Sequence, residues 1–148
     1  MDIHSSLAQR VNQRFMKARA AFERFGDASA EREKVGPNWN VRDLAGHLAH
    51  WTAEATVQLP RIAAGSPMPP YDLEKVNAEV FRKNRQMSFV MLLPQLRSAE
   101  DAFLVALQSV NPDLLIDSPA REWIDFTTID HYDKHLPGLI AVVERLGR

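Results

Sequence analysis

Apolar residues recur at intervals of three and four along nearly the whole chain, and no stretch alternates apolar with polar residues as a half-buried strand does. That periodicity confines the chain to packed helices, so the expected class is all-α. Between about residues 3 and 25, Leu7, Val11, Phe15, Ala18 and Phe22 form one stripe with the basic side chains largely off it, and Gly26 reads as the stop. A polar connection ending in GPNWN leads to a second helix. Asn40 is its N-cap and Asp43, three residues on, completes a variant capping box. Val41, Leu44, Leu48, Trp51, Ala55 and Ile62 make its apolar face, and the loop GSPMPP ends it.

A shorter helix is expected from Tyr71 to Gln86, and a longer one from about Ser88 to Val110 with Leu92, Leu96, Ala99, Phe103 and Leu107 inward. Pro94 either marks the regular start of that helix or kinks it. After the loop NPDLLIDSP, a last helix from about Arg121 to Leu146 directs Ile124, Thr128, Tyr132, Leu139, Val142, Val143 and Leu146 to the core. Pro137 leaves the Asp133 carbonyl without its amide donor, so a kink is expected there. Four main helices and one accessory segment in 148 residues, with no linker or repeat, read as a single four-helix-bundle domain spanning 1–148.

Composition narrows the function classes. Eighteen Lys and Arg against nineteen Asp and Glu give a net charge of −1, without the basic excess of a non-specific nucleic-acid binder. The longest apolar runs, Phe89 to Leu93 and Leu139 to Val143, fall far short of the ~18 residues that span a bilayer. No basic region followed by an apolar stretch opens the sequence, so a cytoplasmic protein with neither membrane nor nucleic-acid partner is expected. There is no cysteine, which excludes disulfides, zinc ribbons, iron–sulfur sites and a cysteine nucleophile. Any metal must be held by the five histidines and the carboxylates.

His131 and His135 stand four apart on the last helix and share a face, which the helical wheel makes the apolar one, with His135 near its centre. Two inward histidines at this spacing can chelate one ion. On the second helix His47 borders the core and can supply a third nitrogen, whereas His50 lies on the solvent side. Three histidine ligands leave positions open, as a catalytic metal requires. The plain alternative is a buried pair satisfied by backbone carbonyls, a tyrosine hydroxyl or water. Trp39, Trp51, Tyr71, Asn77, Arg85, Trp123 and Tyr132 are further pocket candidates, each with an ordinary packing or solvent role open to it. Tyr132 is the one expected beside the metal.

The run WNVRDLAGHLAHW followed by TTIDHYDKHLPGLI resembles the DinB-like metalloenzyme superfamily, which includes DinB proteins, maleylpyruvate isomerase N-terminal domains and ClbS/DfsB-type bundles. The middle segment, RIAAGSPMPPYDLEKVNAEVFRKNRQMS, is most similar to the last two branches. The resemblance implies an up-down-down-up bundle with a long crossover, and a divalent metal, zinc or nickel, on His47, His131 and His135. It implies a metal-dependent enzyme acting on a small-molecule substrate, a thiol-dependent transferase or isomerase or a hydrolase. Any thiol would be an external low-molecular-weight one. It also implies association into a homodimer. The rival expectation is a metal-free, ClbS-like binding or self-protection protein that sequesters or hydrolyses a reactive metabolite.

Overall fold

The computed structural model describes residues 1–147. Helices α1 (Ile3–Phe22), α2 (Asp27–Arg32), α3 (Val41–Ala63), α4 (Leu73–Asn84) and α5 (Phe89–Gln108) are followed by a 3₁₀ turn at Pro112–Leu115. Next come α6 (Pro119–Ile124), a π-helical segment (Asp125–Asp130) and α7 (His131–Arg145), which follow one another without a break. No strand occurs among the described residues; the nearest thing is an antiparallel bridge between Lys34 and Asn40.

The stripes expected from sequence meet in one apolar cluster. Leu7, Val11, Phe15, Ala18 and Phe22 of α1 are buried, as are Val41, Leu44, Leu48, Trp51, Ala55 and Ile62 of α3. Phe15 packs edge-on to Phe103 of α5, at 6.2 Å, and lies 5.1 Å from the Tyr132 ring of α7. Contacts along the helices set their pairing. Phe22 meets Phe89 at one end of the α1–α5 pair, and His4 donates to the Val110 carbonyl at the other. His47 meets His131 near the start of α3, whereas Trp123 donates to the Ala55 carbonyl further along it.

Local rules account for the helix ends. Asn40 and Asp43 exchange side-chain-to-backbone hydrogen bonds of 2.8 and 3.0 Å, closing the capping box expected at α3. Ser88 is the N-cap residue of α5, and that helix runs through Pro94 to Gln108. The other two long helices tolerate prolines as well, Pro60 in α3 and Pro137 in α7. All three prolines are exposed, so water can serve the carbonyls that lose an amide donor. Helix α7 continues through Pro137 for two further turns.

Two other expectations change. The polar connection before Asn40 contains helix α2, whose Gly26 N-cap amide is bonded by the Ser29 hydroxyl. The last helix begins earlier than expected, at Pro119, and its middle is π-helical. Thr127 and Thr128 donate from their hydroxyls to the carbonyls of Trp123 and Ile124, four residues back. Side-chain bonds of this kind compete with the regular ladder and accompany its widening.

A buried polar chain crosses the core. Glu100, with 0% of its side chain exposed, accepts from Arg19 Nε at 2.8 Å and from the Tyr132 hydroxyl at 2.8 Å. Tyr132 also bonds the Thr52 hydroxyl at 3.0 Å, and Arg19 reaches Asp101 on the surface. Each member finds a partner, which is the condition for burying a carboxylate at all. Burial raises the Glu100 carboxyl to about 7, against the opposing pull of Arg19 and Tyr132.

Candidate metal centre

Three elements bring His47, His131 and His135 together. Helix α3 presents His47 two turns beyond its cap, and the start of α7 presents the other two, four residues apart. The rings form a nearly equilateral triangle, with centroids 4.9, 5.1 and 4.9 Å apart. One ring nitrogen from each lies within 4.8 Å of the others, and the Nε2 atoms of His47 and His131 are 2.9 Å apart. His47 is buried, whereas His131 and His135 are half-buried. The wheel-based placement of His135 at the stripe's centre is therefore corrected: Leu136 is buried in that place.

The third element is the turn from Lys34 to Asn40. The Val35 amide donates to the Trp39 carbonyl and closes the loop, which lays the Trp39 ring over the triangle. Trp39 stacks on His135 at 5.9 Å and 26°, and its centroid lies 4.5 Å from that of His47. Burial, reinforced by the neighbouring imidazoles, lowers His47 to about 2. Burial and His135 lower His131 to about 4; burial and the Lys134 ammonium lower His135 to about 4. All three rings are therefore neutral at physiological pH, the protonation state a metal ligand needs. Neutral nitrogens this close, converging from two helices under an aromatic cover, fit a divalent cation.

A cavity of about 300 Å³ opens beside the triangle. Trp51, Leu73, Phe126 and Thr127 contribute to its wall, and Asp130 and Lys134 bring charge to it. Of the candidates from sequence, Trp39, Trp51 and Asn77 line this cavity, with Asn77 accepting from Trp51 Nε1 at 2.8 Å. Arg85 is engaged elsewhere: its guanidinium bonds both carboxylate oxygens of Asp43 at 3.2 Å and lies 4.4 Å over the Phe81 ring. Tyr71 donates to Glu54; burial, reinforced by that hydrogen bond and the Glu54 charge, raises its hydroxyl pKa. Trp123 belongs to a second cavity.

Tyr132 is a correction. It follows His131 directly, and one residue of helical rotation carries it into the core, fully buried and bonded to Glu100 and Thr52. It is therefore a structural residue and not the neighbour of a metal. His50 is half-buried against Trp51, with rings 5.1 Å apart, instead of lying open to solvent; as expected, it stands outside the triangle. Phe126, Asp130 and Lys134 were not singled out from sequence. Spacing could have found Lys134, three residues after His131, whereas Phe126 and Asp130 belong to the π-helical segment, which helical counting does not anticipate.

The chain matches the family model of the mycothiol maleylpyruvate isomerase N-terminal domain over residues 11–124. It belongs to that family. The matched family region includes His47 and ends before His131 and His135. No curated protein matches the chain. Among solved structures, an uncharacterised protein from Escherichia coli UTI89 superposes with a TM-score of 0.80 over 97% of this chain and 94% of that one, at 16% identity. At that identity the likeness establishes a shared fold and no more.

Proposed function

We propose that this member of the maleylpyruvate isomerase N-terminal family is a metal-dependent enzyme for small molecules, with zinc or nickel held by His47, His131 and His135. The observation that carries this reading is the neutral, three-ring triangle opening onto a cavity of about 300 Å³. When bound there, a divalent ion supplies Lewis acidity, by which water or an external thiol is acidified or a substrate carbonyl polarised. The chain's own residues do the rest. Trp39 and Trp51 exclude water from the two flanks, Asp130 offers a proton acceptor at the wall, and the Lys134 ammonium holds an anionic substrate group at the mouth. Transfer, isomerisation or hydrolysis of a small electrophile suits this equipment.

The same reading takes the chain as one cytoplasmic domain, a four-helix bundle in up-down-down-up order with α4 on the crossover. The antiparallel contacts of α1 with α5, and of α3 with the last helix, support that order. The test is elemental analysis of untagged protein beside His47→Ala, His131→Ala and His135→Ala. Stoichiometric metal in the parent, lost in each variant, is the expected result. A parent without metal, and without a rise in Tm on adding zinc or nickel, overturns the proposal. The second reading, a metal-free pocket that sequesters a reactive metabolite, would then hold; the 2.9 Å approach of His47 to His131 suits a direct imidazole–imidazole hydrogen bond.

A further inference from the structure

A second cavity, about 420 Å³, lies between the end of α3, the GSPMPP loop and α6. Phe126 lines both this cavity and the one beside the histidines. A ladder of rings connects the two. Trp51 meets Tyr71 edge-on at 5.2 Å, Tyr71 stacks on Trp123 at 6.3 Å, and Trp123 lies 6.3 Å from Phe126.

Charge is distributed unevenly along this surface. The histidines, Asp130 and Lys134 stand at one end, whereas Glu122 is the one charged residue of the second cavity among those described. Met68 and Phe126 remain 56% and 49% exposed there, apolar surface that the fold itself does not cover.

We propose that the two cavities act as one amphiphilic groove, and that the substrate is a molecule with a polar reactive head and an extended apolar or aryl tail. The head lies against the histidines, Lys134 and Asp130, and the tail runs past Phe126 to Met68 and Trp123. Trp123 and His135 are separated by about 15–18 Å along the helix axis, allowing for the tighter rise of the π segment, so the tail can be long. This rests on the proposed enzymatic reading only for what happens at the head; the groove's preference for a tail stands on its own lining.

The test uses straight-chain carboxylates lengthening from butyrate to decanoate. Their binding to the protein as purified, and to the same protein after chelation, is followed by tryptophan fluorescence and calorimetry. Burial of each added methylene is expected to tighten Kd about fourfold until the groove ends. Met68→Glu and Phe126→Asp alter exposed side chains, so both variants should fold, as circular dichroism will verify. Both are expected to flatten the dependence on length; Met68→Glu, which lies outside the cavity beside the histidines, is also expected to leave butyrate binding unchanged.

An affinity independent of chain length, or a gradient that neither variant alters, overturns the inference. So does light scattering in which the parent is a dimer and Met68→Glu a monomer, because the groove would then be the seat of a second copy. A length gradient in protein that holds no metal as purified and gains no Tm on adding zinc or nickel refutes the enzymatic reading alone, and stoichiometric metal without a gradient refutes this one alone.

Discussion

Metal-free protein should lose stability as the pH falls from about 7 to about 5. An imidazole in the unfolded chain takes its proton near 6.5, whereas the folded state holds His131 near 4 and His47 near 2. The unfolded chain therefore binds more protons throughout this window. Stability that is complete above the unfolded value is lost as the pH falls below it, by ~1.4 kcal/mol per pH unit for each group. His135 is also depressed, to about 4, but it lies nearer solvent and screening reduces its share.

Glu100 works in the opposite sense. Its folded value, about 7, lies above the ordinary 4.5, so the folded state is the one that binds the proton between those values. That contribution grows on acidification by up to ~1.4 kcal/mol per unit. The two effects leave a net loss of about 1–3 kcal/mol between the two pH values, since two to three histidines oppose one carboxylate. Urea unfolding of chelated protein measures it directly. Other carboxylates also contribute to acid denaturation, so the decisive comparison is His47→Gln with His131→Gln, which should be less sensitive to acid than the parent. If the double variant loses stability over this range as steeply as the parent, the triangle is not a cluster of desolvated neutral imidazoles, and its fitness for a metal falls with it.

Two further outcomes test particular contacts. Tyr132→Phe takes the hydroxyl from Thr52 and from the fully buried Glu100, at a cost of about 2–3 kcal/mol. Calorimetry should show Tm lower by about 4–12 °C with metal content unchanged; metal loss without destabilisation would return Tyr132 to the metal's vicinity. Trp39→Ala uncovers His135 and His47, and competition with a chelator should show metal affinity weaker by about 10–100-fold. Unchanged affinity would mean that the indole merely fills the turn.

The stripes of α1, α3 and α5 were legible because each is an uninterrupted α-helix in which burial repeats every three or four residues. The identity of the three clustered histidines was legible for the same reason, since His131 and His135 share one α-helical turn. The shape of the site was less so. Trp39 reaches the rings through a turn closed by backbone hydrogen bonds, which leaves no periodic mark in the sequence. Glu100 could have been noticed, because it falls four residues after Leu96 and three before Phe103 on the buried stripe. Its partners Arg19 and Tyr132 come from other helices, and that convergence is tertiary.

The main error of the wheel has one physical cause, and it bears on function. Counting at a constant rotation from Ile124 and Thr128 sends His131 and His135 straight into the core. The π-helical turn between Asp125 and Asp130 accommodates an extra residue, so the buried stripe that enters through Trp123, Ile124 and Thr128 leaves through Tyr132, Leu136 and Leu139. Each histidine is thereby moved one position off the stripe, to its border with α3 and the cavity. In a regular helix the pair would occupy the places of Tyr132 and Leu136, sealed from any substrate. The widened turn keeps the imidazoles half-buried, near enough to His47 to form a cluster and open enough to be reached. The threonines at its centre satisfy the carbonyls of Trp123 and Ile124, and they hold in place the irregularity on which access to the site depends.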